Sequence, residues 1–113
     1  MKRGEVYLIR FNPTEGSEQA GTRPAVIVSR DAINQYSPVV VVCPMTDAVH
    51  VPNPYPSDVS IKAPEGGLVK DSVVLTSQVR AVAKHRFLKQ LGQLRPDTMK
   101  QVDQALKITL NLS

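Results

Sequence analysis

A single cysteine and no tryptophan set the first limits on what this chain can be. One thiol cannot build an internal disulfide framework, and it fits a reducing compartment. Metal ligands are equally scarce. Cys43, His50 and His85 fall at no ligand spacing and have no acidic pair beside them, so the sequence predicts neither metal nor cofactor. Long apolar runs are missing too. The stretch after the first residues is broken at Arg10, and the β-branched run Val39–Cys43 is too short to span a bilayer. That pattern is neither a signal peptide nor a membrane anchor, and it predicts a cytoplasmic protein with no membrane partner.

Within those limits, 113 residues make one domain, residues 1–113, with no repeat or linker. The hydrophobic fraction of 42% is ordinary for a packed core and excludes a disordered chain. A net charge of +4 tilts the reading mildly toward a polyanionic partner.

Branched and aromatic side chains over residues 5–11 predict a strand, and polar residues 12–22, with Gly16 and Gly21, a long loop. Residues 24–29 predict a second strand with Pro24 at its entry. A helical turn from Asp31 follows, then a strand over 39–43 buried on both faces. After the proline-rich loop 47–56 come a strand over 58–62, a turn at 64–67 and one continuous strand over 72–82. The spacing predicts a short helix over 85–91 ended by Gly92. Apolar Met99, Val102, Leu106 and Thr109/Leu110 predict a terminal helix with Pro96 in its first turn and Asp97 at its positive end. Arg95 is a poor N-cap for it. The class is α+β: a small, strongly bent antiparallel barrel closed by a C-terminal helix.

The most informative stretch runs from Asn12 to Pro24. A polar loop carries one arginine, Arg23, to the rim of a strand, and the following proline fixes the chain direction. Val42-Cys43-Pro44-Met45-Thr46 then ends a buried strand with a hydroxyl at the neighbouring, solvent-facing rim. A guanidinium and a hydroxyl so placed can both reach one phosphate.

With these residues the chain resembles the MazF/PemK-type toxins of bacterial toxin–antitoxin pairs. The resemblance is carried in order by Arg3-Gly4-Glu5-Val6-Tyr7, Asn12-Pro13, Gly16-Ser17-Glu18-Gln19, Arg23-Pro24, Tyr36-Ser37-Pro38 and Pro44-Met45-Thr46. It continues through Gly67-Leu68, Lys70-Asp71-Ser72-Val73-Val74-Leu75, Gln78-Val79-Arg80 and Leu91-Gly92-Gln93-Leu94. It implies an SH3-like barrel, a homodimer, and a sequence-selective endoribonuclease that cuts single-stranded RNA and is held in check by an acidic antitoxin. The family's arginine falls on Arg23 and its threonine on Thr46. The implied reaction is attack of the RNA 2′-OH on the adjacent phosphorus, leaving a 2′,3′-cyclic phosphate and a 5′-OH. Guanidinium groups stay protonated in proteins, which suits Arg23 to charge stabilisation and proton donation rather than to the base role. Glu18 is the first candidate for the base and His50 the second. Ser17 and Gln19 on the loop, Phe11 by stacking and Gln78 are the candidate RNA contacts.

Blander roles compete with several of these assignments. A strand-end aromatic such as Phe11 is more often core, a strand position such as Gln78 more often packs, and Cys43 reads as core. Two other classes share the barrel: a gyrase-binding toxin, acting through its C-terminal helix, and a non-catalytic RNA-binding barrel. Neither needs the Arg23/Thr46 pair, and its presence favours the enzyme.

Overall fold

The computed structural model describes residues 1–11 and 21–113. Among the described residues, seven strands form one bent antiparallel sheet: β1 (Glu5–Phe11), β2 (Gly21–Ile27), β3 (Val39–Asp47), β4 (Asp58–Ile61), β5 (Ser72–Leu75), β6 (Arg80–Ala83) and β7 (Phe87–Gln93). Their spatial order is β4-β5-β3-β2-β1-β7, with β6 paired to β3 off that path. Helix α1 (Asp31–Tyr36) links β2 to β3, and α2 (Pro96–Leu110) ends the fold. The α+β class holds. Among the described residues no ladder joins the outer strands β4 and β7, so the sheet is bent rather than closed as a hydrogen-bonded barrel.

The bend is made by β3. Its first part, Val39–Val42, pairs with β6, and its last part, Met45–Asp47, pairs with β5. Pro44 lies between the two ladders, where a missing N–H interrupts neither. The continuous strand expected over 72–82 is therefore two strands separated by a 3-10 turn at Thr76–Gln78. Val42 pairs with Arg80, three residues beyond where an unbroken register would place it, and the three-residue turn supplies that offset. Around the bend, alternation sends Val40 and Val42 into one apolar cluster and Cys43 and Met45 into the other. The double-sided burial expected for this strand holds there, while Val39 at its start is exposed. Burial among these side chains pushes the Cys43 thiol up to about 12, which keeps it an inert core group.

The helix expected over 85–91 does not form. Lys84–Arg86 make a single 3-10 turn, and Phe87–Gln93 add a strand to the edge of β1. Pairing is the physical reason: β1 would otherwise present an open row of backbone donors and acceptors. Two register shifts against β1 accommodate the added strand.

The terminal helix is where the apolar stripe places it. Thr98, Met99, Val102 and Ala105 are buried, and Leu106 packs at the edge of the same cluster, while Leu110 is exposed. Arg95 offers no side-chain cap, as expected. The helix is held instead by an Arg3–Asp103 ion pair, a 2.9 Å hydrogen bond between the Thr76 and Thr109 hydroxyls, and Asn111 in the left-handed conformation that ends it. No helix among the described residues is long and apolar enough to cross a membrane.

One contact between turns and strands matters for the site. The 3-10 turn Glu65–Gly67 lies directly on β7, and only glycine permits the approach. A Cβ on Gly67, whose φ is +75°, would fall 1.9 Å from the Leu91 carbonyl oxygen. A Cβ on Gly92 would fall 2.7 Å from the Gly66 carbonyl carbon. Glu65 fixes the turn to the start of α2 by accepting the Arg95 backbone N–H at 3.0 Å. Gly67→Ala therefore combines a left-handed backbone penalty with a backbone clash, and is expected to cost on the order of 3 kcal/mol. Thermal unfolding should show a midpoint lowered by roughly 12 °C. An unchanged midpoint would mean that the turn can lift off β7 without loss.

Candidate active site

Strand β2 begins at Gly21, so Arg23 and Pro24 are its third and fourth residues rather than the last of a loop. Arg23 pairs with Ile9 and Pro24 with Leu8 on β1. On its other side β2 meets β3 only from Ala25, which pairs with Pro44. Pro24 is thus at an edge position toward β3, where its missing donor is tolerated. Carrying the Ala25–Pro44 register two residues further sets Arg23 level with Thr46. The two residues named by the sequence are brought together by the simplest device available, adjacent antiparallel strands.

Both line one cleft of about 540 Å³. Its floor continues the larger apolar cluster outward through Leu8, Pro24, Met45, Leu68 and Leu91, and Arg23, Thr46, Asp47, His50, Lys70 and Lys89 add the polar groups. Thr46 departs from the solvent-facing position expected of it. At 7% exposure it is largely covered, and it pairs with Val73 on β5. Arg23 is exposed.

Local structure explains how His50 joins them. Asp47 ends β3 and caps the 3-10 turn Ala48–His50, its carboxylate accepting the Val49 N–H at 3.1 Å. That turn returns the chain to the cleft wall. The same carboxylate lies 3.7 Å from the Lys70 ammonium, and the Ala48 N–H donates to the Asp71 carbonyl at 2.9 Å. Two rim segments are thereby fastened to each other. Among the described residues, neither the Arg23 guanidinium nor the Lys89 ammonium has a hydrogen-bonding or ionic partner. A low-polarity floor beneath two cations that no described carboxylate engages suits an anion.

The remaining sequence candidates are not among the described lining residues. Ser17, Glu18 and Gln19 lie outside the described residues. Phe11 is 2% exposed in the second apolar cluster with Ile9, Ile27 and Val82, and the Arg80 guanidinium sits over its ring, 5.2 Å from the centroid. That packing leaves no free face for a stacked base. Gln78 is half-buried in the turn between β5 and β6, outside the lining of the cleft. Sequence reasoning passed over Lys70 and Lys89. Lys89 was hidden by the helix expected over 85–91; read as a strand, the same stretch puts Lys89 and Leu91 on one face. No three metal-ligating side chains come together among the described residues, and the cleft offers only Asp47 and His50.

Solved structures define the class. A MazF crystal structure from Deinococcus radiodurans superimposes with a TM-score of 0.82 at 28% identity, covering 98% of this chain and 96% of that one. A mycobacterial endoribonuclease in complex with its cognate antitoxin gives 0.80 at 26% identity, covering 100% and 97%. The molecule is a toxin of this bent-sheet class. In sequence, an endoribonuclease MazF from Staphylococcus epidermidis is 42% identical over 113 residues, all of this chain and 93% of that protein. Residues 2–110 match the family of PemK-like, MazF-like toxins of type II toxin-antitoxin systems, and the chain belongs to that family.

Proposed function

We propose that the protein is an endoribonuclease toxin that cuts single-stranded RNA at selected sequences by internal attack and without a metal ion. The observation that carries the reading is the shared cleft of Arg23 and Thr46. In-line attack by the 2′-OH builds negative charge on the non-bridging oxygens, and cleavage leaves a 2′,3′-cyclic phosphate. The Arg23 guanidinium supplies fixed charge with forked N–H donors, and the Thr46 hydroxyl supplies a second donor. Arg23 also donates toward the departing 5′ oxygen. Glu18 is assigned to proton removal from the 2′-OH, with His50, on the cleft wall, as the alternative.

A homodimer under the control of an antitoxin completes the reading. Ile33, Tyr36 and Val39, apolar and exposed around α1 and the start of β3, suit coverage by a second copy. The antitoxin must compete for a cationic cleft with an apolar floor. An acidic, disordered tail with a few apolar anchors, ordering as it binds, meets that requirement.

The direct test incubates the purified protein with a long mixed-sequence RNA and maps the new 5′ ends. Discrete cuts at a common short sequence, bearing 5′-OH ends and undiminished by excess EDTA, are expected. Absence of cutting by the free protein would defeat the enzyme reading, and activity restored only by added magnesium would defeat the metal-free one.

A further inference from the structure

We infer that Lys89 forms a second phosphate subsite in the cleft, holding an RNA backbone phosphate next to the one that Arg23 engages. The inference deepens the ribonuclease reading and rests on it. Its starting point is register. Pro24 pairs with Leu8, and Leu8 pairs with Lys89, so one row crosses β2, β1 and β7, and all three residues line the cleft. Arg23 pairs with Ile9 and is not a member of this row, but it lines the same cleft next to Pro24, at the end opposite Lys89. Because β1 lies between them, the backbones of β2 and β7 are about 10 Å apart.

Charge makes the second argument. The carboxylate of Asp47 is the only one among the described lining residues, and it is engaged by Lys70 at 3.7 Å and by the Val49 N–H at 3.1 Å. Arg23 and Lys89 are left without partners among the described residues. Two cations with no partner among the described residues, set on either side of apolar Leu8, fit two successive anionic groups better than one. A polynucleotide backbone supplies such groups at regular intervals. Lysine on an edge strand has a blander use, discouraging edge-to-edge pairing, and that role predicts no coupling to any phosphate of bound RNA.

The test is a binding cycle on a 2′-O-methyl oligonucleotide, which cannot be cut, with single phosphates replaced in turn by uncharged methylphosphonates. Wild type, Lys89→Gln, Lys89→Arg and Arg23→Ala are compared across salt concentrations. Lys89→Gln should weaken binding about fivefold at 0.1 M salt and flatten the salt slope by about 0.7, the value of one single-strand phosphate contact. Lys89→Arg should restore both. One methylphosphonate should weaken wild type yet add nothing to Lys89→Gln, and it should be a neighbour of the one that couples to Arg23. Coupling of both residues to the same phosphate, or of Lys89 to none, overturns the inference. Because the cycle reads binding, it stands apart from cleavage. Failure of the wild type to cut all-ribose RNA would overturn the ribonuclease reading instead.

Discussion

Replacing Arg23 with alanine is expected to slow single-turnover RNA cleavage by about 10²–10³-fold, the usual consequence of removing one donor from a developing oxyanion. Stability should hardly move. Arg23 is exposed and unpartnered among the described residues, and surface changes of that kind stay within about 0.5 kcal/mol. Arg23→Lys keeps the charge and loses the fork, so an intermediate rate is expected. Thr46 calls for a different substitution because it is 7% exposed and paired with Val73. Thr46→Val removes the hydroxyl while keeping a β-branched side chain on the strand, and Thr46→Ser keeps the hydroxyl. Valine should lose activity on the scale of Arg23→Ala, and serine should retain most of it. Rates measured beside thermal unfolding decide the matter: near-normal cleavage by Arg23→Ala or Thr46→Val would remove that residue from the mechanism.

These two residues were legible before the fold was known because their signal is local. A loop running into Arg23-Pro24 and a buried strand ending at Thr46 are patterns of a few residues each. Strand β1 and helix α2 were legible for the same reason, through branched-residue content in one and a helical stripe in the other. Strand β7 was not. Phe87, Leu88 and Leu91 among lysine and glutamine suit a helix as well as a strand, and the strand forms because the edge of β1 needs a partner. The break between β5 and β6 was hidden likewise, since its cause is the bend in β3 at Pro44, some thirty residues earlier. Both misreadings touched the site. The helix expected over 85–91 concealed Lys89. For Phe11 the competing core role holds over the stacking one: it is 2% exposed, and β6 brings Arg80 over its ring.

A substrate carrying 2′-deoxyribose on the 5′ side of the cut should not be cleaved at all, although every other contact to the protein is preserved. The two possible nucleophiles make opposite demands on the cleft. A 2′-OH is already tethered beside its phosphorus, and such well-oriented internal attack is worth effective molarities of about 10⁵–10⁸ M. Water has no such advantage and would have to be positioned and activated by the protein. Among the described lining residues, Asp47 is the carboxylate on hand, and it is occupied by Lys70 and the Val49 N–H. Charge stabilisation through Arg23 and Thr46, with Glu18 or His50 taking the 2′-OH proton, suits a nucleophile that comes with the substrate. Binding should therefore survive the deoxy substitution within a few fold while cleavage disappears. The measurement pairs anisotropy titration with single-turnover assays on otherwise identical oligonucleotides, and end-group analysis of the all-ribose products should find 2′,3′-cyclic phosphate and 5′-OH. Cutting of the deoxy substrate at a comparable rate would eliminate internal attack, and 5′-phosphate ends would point to water as the nucleophile.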